Sequence, residues 1–275
     1  MKSIKDKLIV TVAPTGNVPT KEMNPYTPVT VKEIVETVRQ VVSMGVSVAH
    51  LHIRDENQRP TCDRKTFEAL VKAIKEEPFD VITQLSTGAR GGANTFENRS
   101  QMLDLDVEMA SLATGSSNFP TSVNSNDPSM IKDMALKMKE HNIKPEIEVF
   151  DVAMIQNAVW HQKKGNIVGP LHFNLVMNVP GSIKGTPENL MFLINSLPAD
   201  STFTVSGIGS SQIQMLTMAI LMGGHVRTGI EDVTQMPDGS HSSNVKLVQQ
   251  VLDIANSVGR EIATVSEARK ILSLK

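Results

Sequence analysis

One cysteine, Cys62, occurs in the whole 275-residue sequence, so no internal disulfide can form and no cysteine-rich metal site can be built. A chain so poor in cysteine fits a reducing compartment. No stretch of 18 apolar residues occurs, as a membrane-spanning helix would need. The apolar run inside "MKSIKDKLIVTVAPTG" is too short for the core of a signal peptide. Neither sign of charge dominates: 27 Lys and Arg face 29 Asp and Glu, and the net charge of −2 argues against nucleic acid or an anionic membrane as the main partner. Linkers, low-complexity segments and charge blocks are also missing, so residues 1–275 are expected to form a single domain of a soluble, cytoplasmic protein.

What is present is alternation. Short β-type runs at 7–14, 46–54, 80–87, 106–112, 145–150, 170–177, 201–207 and 224–229 are separated by segments with a 3.6-residue apolar period. "VKEIVETVRQVVSMG" is one of these helices, with Gly45 just past its end. "DRKTFEALVKAIKEE", "SMIKDMALKMKEHN", "TPENLMFLINSL" and "SSNVKLVQQVLDIANSVG" follow the same pattern; 151–164 and 211–222 also read as helices, and 96–104 as a weaker one. Eight strand–helix units are the count of a (β/α)8 TIM barrel. A doubly wound sheet is the rival, but "APTGNVPT" after the first strand is not G-x-G-x-x-G. The segment "TGNVPTKEMNPYTP" then becomes a long, proline-stiffened first loop.

The second strand carries "SVAHLHIRD", with His50 and His52 where a barrel strand would hold aliphatic residues. Side chains two apart on a strand share a face, about 6.5 Å from each other. Both lie at the C-terminal end, where barrels carry their active sites. The acids Glu231 and Asp232 follow the eighth strand in "HVRTGIEDV", and barrel closure brings that strand next to the first, beside the second. Two imidazoles and a carboxylate suit Zn²⁺, Fe(II) or Mn(II) with an open position for substrate. Among the other histidines, His141 and His161 read as solvated, His172 and His225 as core or structural, and His241 as a loop residue.

Further polar groups gather at the same strand ends. Ser86 and Thr87 sit on a glycine-rich turn whose backbone N–H groups would hold a carboxylate or oxyanion; Ser111 and Thr114 follow the fourth strand. Glu146 and Glu148 share one face of the fifth strand. Arg227 precedes the acidic pair and would keep a carboxylate ionised; beside a metal that acidifies a C–H next to a carbonyl, such an acid would serve as base.

Taken together, "TVAPTGNVPT", "VAHLHIRD", "QLSTGARGG", "PEIEVFD", "NLVMNVPGSIKGTPENLMF", "VSGIG", "MGGHVRTGIEDV" and "GREIATVSEARKIL" resemble the β-keto acid cleavage enzyme family, typified by the 3-keto-5-aminohexanoate cleavage enzyme, in order over nearly the whole chain. The resemblance implies one catalytic Zn²⁺ per chain, usually in a homotetramer, and a reaction in which a β-keto acid and acetyl-CoA give acetoacetate and a new acyl-CoA. It assigns the metal to His50, His52 and Glu231, and assistance of deprotonation to Arg227 and Asp232. Substrate contacts fall to Ser86 and Ser111, the latter where the typical member has Thr, with Thr87 and the backbone at Gly88 near the substrate carboxylate. Val18 occupies the place of a Glu that pairs with the ammonium of the aminohexanoate substrate; a buried cation facing valine would lose its partner, so a substrate without an amino group is expected unless Glu22 takes over. Lys184, Arg90 and Arg99 are basic candidates for the adenine end of CoA, each reading more readily as an ordinary surface charge. A metal-dependent aldolase or hydroxymethylglutaryl-CoA lyase-like enzyme remains open as a second reading, and a metal-free binding protein as a third. An amidohydrolase fits less well, because the fifth strand carries glutamates where that class has a ligand.

Overall fold

The computed structural model describes residues 3–88 and 90–274. Eight parallel strands close into a barrel: β1 (Val10–Val12), β2 (Val48–Leu51), β3 (Ile82–Leu85), β4 (Met109–Ala113), β5 (Lys144–Val149), β6 (His172–Met177), β7 (Thr202–Gly207) and β8 (His225–Thr228). Each pairs with its sequence neighbours, and β8 closes on β1 with Val10 opposite Val226, while Thr11 faces Val48 of β2. The expected (β/α)8 barrel is therefore the observed one. The helices between strands are α1 (Val31–Val42), α2 (Arg64–Lys75), α3 (Phe96–Ser100), α4 (Pro128–Glu140), α5 (Val152–Lys163), α6 (Pro187–Ser196) and α7 (Gln212–Leu221), with α8 (Asn244–Ser257) and α9 (Val265–Leu272) after the last strand. No helix is long and apolar enough to cross a membrane among the described residues.

Local sequence explains these elements. α1 begins at Thr30, whose hydroxyl accepts the Glu33 N–H while Glu33 returns to the Thr30 N–H. Its buried stripe is Ile34, Val35, Val38 and Val41, and Gly45 past its end adopts φ +111°. Outward-facing strand residues such as Val10, Val12, Leu51, Ile147, Leu175 and Val205 pack with these stripes into one core that is sealed from water. Each buried aliphatic side chain there contributes about 1.5–3 kcal/mol.

The inward face differs. Only its lowest layer, Ile9, Val48, Ile82 and Met109, is apolar, and it packs on Ala263, Ala268, Ile271 and Leu272 of the C-terminal segment and α9. α9, absent from the periodicity reading, thus stoppers the barrel floor. Above that layer the interior is polar: Asn174 donates to Glu146 at 3.0 Å, Ser206 to Asn174 at 2.8 Å, and His172 lies 3.4 Å from Glu146 and 2.8 Å from the Thr202 hydroxyl. His225 Nδ1 accepts the Ile9 N–H at 3.2 Å. His172 and His225 are buried and bonded within the protein, in the core positions expected of them.

Some boundaries differ from the reading of the sequence. The run 46–54 stops pairing in the barrel at Leu51, leaving His52 on the loop, and Ile53–Arg54 forms a hairpin with Pro60–Thr61. A second hairpin, Ser117–Phe119 with Ser122–Asn124, follows β4, and the helix expected over 96–104 ends at Ser100. His141 and His241 are exposed, whereas His161, expected in solvent, is buried and accepts from Asn166. Arg99 is likewise no surface charge: it is 2% exposed and donates to the Thr87 and Ser125 carbonyls and to Asn94 and Asn126, tying the loop after β4 to the turn after β3.

Candidate active site

The strand ends converge on the histidine pair. Strand register sets His50 of β2 beside Gln84 of β3, and Nδ1 of His50 lies 2.6 Å from Gln84 Oε1. An amide oxygen accepts only, so His50 carries its proton on Nδ1 and presents the Nε2 lone pair inward. His52 is fixed in the same way by Asn17 of the first loop, with Nδ1 3.0 Å from Asn17 Oδ1. The two Nε2 atoms then face each other at 3.1 Å, both as lone pairs. Glu231 Oε2 is 3.3 Å from the His52 nitrogen and 3.9 Å from that of His50, yet it makes no hydrogen bond. Three acceptor atoms within 4.8 Å of one another, one of them buried without a donor, form an arrangement that a cation relieves. The donor set of two imidazoles and one carboxylate therefore fits a divalent metal such as Zn²⁺, as the sequence suggested. The amides of Gln84 and Asn17 are the outer partners that orient such ligands.

Arg227, at the end of β8, organises the acids. It donates twice to Asp232, at 3.1 Å from Nε and 2.6 Å from Nη2, and to Glu231 Oε1 at 2.8 Å, which leaves Oε2 to the histidines. A third carboxyl, Glu148 of β5, is 3.9 Å from Nη1. Burial penalises the charged form of every group here. For Glu231 that penalty is outweighed by Arg227 and the two histidines, and its carboxyl stays well below the usual range. For Asp232 burial exceeds the pull of Arg227, with Glu231 adding to the rise, and its pKa moves up to about 6. Glu148 goes further, to about 7, because burial outweighs its more distant arginine contact. His50 falls to about 4, chiefly through burial, with Arg227 and His52 adding to the drop, so its ring is neutral near pH 7.

The first loop completes the mouth. Gly16, at φ +65°, lies so close to Glu231 that a Cβ would sit 2.5 Å from its Cγ. Arg54, buried in the first hairpin, donates to the Gly16 and Pro19 carbonyls at 2.7 and 2.9 Å and holds this loop down. Among the described residues, the buried side-chain polar atoms without a hydrogen-bond partner are Thr15 Oγ1, Arg54 Nε, Gln84 Nε2 and Glu231 Oε2. All four belong to this one neighbourhood.

The other expected substrate contacts divide. Ser86 is buried at the end of β3, and its hydroxyl accepts the Gly88 N–H at 3.2 Å. Thr87 turns away: its N–H goes to Ser111 Oγ and its hydroxyl to the Ser111 carbonyl, bracing β3 against β4. The Ser86 N–H joins the Leu51 carbonyl. The backbone N–H groups expected to hold a carboxylate at Ser86, Thr87 and Gly88 are thus already taken by protein acceptors, because the turn tightens onto its own serine and onto β4. Thr114 binds the Met154 carbonyl. Val18 is 52% exposed, not buried, since Gly16 and Asn17 occupy the inner side of the loop; Glu22 is exposed too. Lys184 is exposed, and Arg90 stacks over Phe119; Ala89, inside the same turn, lies outside the described residues. Asn17, Gln84 and Arg54 escaped the sequence reading. Gln84 left one signal, a polar residue at an inward strand position directly across from His50.

A (β/α)8 barrel with buried acids and imidazoles at its C-terminal mouth is the frame on which barrel enzymes place their chemistry. The family model for beta-keto acid cleavage enzymes matches residues 7–274. The chain is 45% identical over 271 residues to the 3-keto-5-aminohexanoate cleavage enzyme of Acetoanaerobium sticklandii, covering 98% of this chain and 99% of that protein. It is 40% identical over 270 residues to the 3-oxoadipate:acetyl-CoA acetyltransferase of Cupriavidus necator, covering 97% and 94%. The apo structure of ObcA superposes with a TM-score of 0.80 at 21% identity, over 91% of this chain and 66% of that one, a likeness of fold. The chain belongs to the β-keto acid cleavage enzyme family. It is an enzyme of the acyl-transferring, carbon–carbon bond-cleaving kind.

Proposed function

We propose that this enzyme is a zinc-dependent β-keto acid cleavage enzyme that converts a β-keto acid and acetyl-CoA into acetoacetate and a new acyl-CoA, acting in the cytoplasm as a homotetramer of single-domain barrels. The observation that carries the reading is the meeting of His50 Nε2, His52 Nε2 and the donorless Glu231 Oε2 beside an arginine-held Asp232. Those three residues would hold the metal, which when bound polarises a keto oxygen and makes the neighbouring CH2 more acidic. Asp232 is the base. With a pKa near 6 it is ionised at neutral pH yet basic enough to accept a proton, and Arg227 keeps it oriented. The carbanion of the β-keto acid forms a carbon–carbon bond to the acetyl carbonyl of acetyl-CoA, and the thioester C–S bond breaks to release CoA thiolate. The thiolate then adds to the original keto carbon, the bond between that carbon and the former CH2 breaks, and the carbanion left on the former CH2 takes back the proton held by Asp232, releasing acetoacetate and the acyl-CoA. Every atom of the two substrates appears in the two products.

The substrate tail is expected to carry no ammonium group. No carboxylate stands among Gly16, Asn17, Val18 and Pro19, and Glu22 is exposed. A coupled assay with zinc-loaded protein and β-keto acids bearing apolar, hydroxylated, acidic and amino tails, with and without acetyl-CoA, tests both parts. Acetoacetate formed only with acetyl-CoA supports the reaction. Cleavage without acetyl-CoA points instead to an aldolase-type or hydroxymethylglutaryl-CoA lyase-like enzyme, and efficient turnover of the amino substrate sinks the tail assignment.

A further inference from the structure

The first loop offers the site a second hand. Asn17 uses its carboxamide oxygen on His52, and its nitrogen reaches the turn after β3: a Cβ added to Gly88 would lie 3.0 Å from Asn17 Nδ2 and 3.3 Å from Ser86 Oγ. Glycine at 88 thus leaves these two polar groups bordering a cradle over its Cα, on the side that a side chain would cover. Asn17 is half-buried, and among the described residues its nitrogen donates to no protein acceptor. The Ser86 oxygen accepts from the Gly88 N–H, but its proton has no acceptor among the described residues. Two neutral donors therefore converge on this side of Gly88, and the backbone N–H groups of Ser86, Thr87 and Gly88 are already engaged.

We propose that Asn17 is a substrate-binding residue that joins metal ligand and substrate: its oxygen fixes His52, and its nitrogen, with the Ser86 hydroxyl, receives an oxygen of the β-keto acid's carboxylate at Gly88. The assignment rests on the reaction proposed above. A β-keto acid carries its carboxyl carbon two bonds from its keto carbon, so a molecule lying across the histidine pair brings the carboxylate to one side of it. The Gly88 cradle is on such a side, bridged to His52 by a single side chain. An anion there meets two hydrogen-bond donors. Because the carboxamide is shared, a change at residue 17 acts on the metal site and on the substrate site in separable ways.

The two hands come apart in two variants. Asn17→Asp keeps an oxygen for His52 but replaces the donor with a negative charge; Asn17→Ala removes both. Zinc affinity is measured by competition with a chromophoric chelator, in the absence of substrate. Acetoacetate, the carboxylate-bearing product common to any substrate tail, is titrated calorimetrically into the zinc-loaded proteins. The expected result is zinc bound by Asn17→Asp at least as tightly as by the wild type, with the acetoacetate Kd raised tenfold or more. For Asn17→Ala, zinc affinity drops about 10–100-fold, as for other outer partners of metal-ligating histidines. Wild-type acetoacetate affinity in Asn17→Asp overturns the carboxylate contact, and unchanged zinc affinity in Asn17→Ala overturns the hold on His52. Should wild-type protein bind zinc and show these differences yet fail to turn over any β-keto acid with acetyl-CoA, the reaction falls while the two-handed asparagine stands. Adding Ala at Gly88 fills the cradle and should weaken acetoacetate with zinc affinity unchanged; an unaltered Kd there also counts against the site.

Discussion

The two ends of the barrel interior are built from similar residue types and treat them in opposite ways. Toward the floor, His172, Glu146, Asn174, Ser206 and His225 are buried, each with a hydrogen-bond partner in the protein, and α9 seals them from below. At the mouth, His50, His52, Gln84, Thr15, Arg54 and Glu231 are buried or nearly so, and four of their polar atoms have no partner. A histidine beside a glutamate is therefore no mark of chemistry by itself. The Glu146–His172 pair is a closed circuit, whereas the His50–His52–Glu231 set has a coordination gap. Unsatisfied groups cost stability, and their concentration at one end is how a fold stores a binding site.

Several substitutions would sharpen or break that contrast. The largest effect is expected for His52→Ala, which should abolish zinc binding and lower kcat/KM by about a thousandfold or more, some 4 kcal/mol of transition-state stabilisation. Metal analysis and kinetics check it, and retained zinc with full activity would refute the ligand assignment. Asp232→Asn should slow turnover by about 10²–10⁴-fold while leaving zinc bound, as the loss of a general base does. Ile82→Ala in the floor should do the reverse. It opens a cavity in the apolar layer and costs about 2–5 kcal/mol of stability in urea titrations, with little change in KM at 25 °C.

The last effect concerns pH. Burial pushes the Glu146 carboxyl up, but the His172 hydrogen bond and the electrostatic pull of His172, His50 and Arg227 hold it at about 2, below its ordinary 4.5. A depressed carboxyl stabilises the fold above its ordinary value and loses that contribution as the pH falls toward the depressed one. The advantage of wild type over Glu146→Gln should thus shrink by about 3 kcal/mol on going from about pH 5 to pH 2. A constant difference across that range would show that the Glu146 carboxyl is not held below its ordinary value.

Alternation along the chain carried the architecture, since each strand's outward face and each helix's inward stripe are written as spacing. The histidine pair and its acidic partners were legible for a related reason: polar residues stand out where the pattern asks for aliphatic ones. Asn17 and Gln84 were not, because an amide has no titration signature and its role depends on which ring nitrogen it meets across a loop or a register. Arg99 and His161 misled in the opposite sense. Charge and helical position suggested solvent, while their burial depends on carbonyls and amides brought close only by folding. α9 was missed as well, although the Thr264–Glu267 capping box marks its start in the sequence.

The stopper that α9 places under the barrel also governs traffic. With Ile9, Val48, Ile82 and Met109 packed on Ile271 and Leu272, the described residues close the interior from below, so on the reaction proposed above both substrates and both products pass the mouth. A small keto acid seated at the histidines would then have to arrive before the bulky thioester covers it, and the new acyl-CoA would have to leave before acetoacetate. If the proposed reaction holds, an ordered sequence of binding and release, written in the kinetics as a compulsory queue, is the expected consequence of a short helix at the opposite end of the molecule.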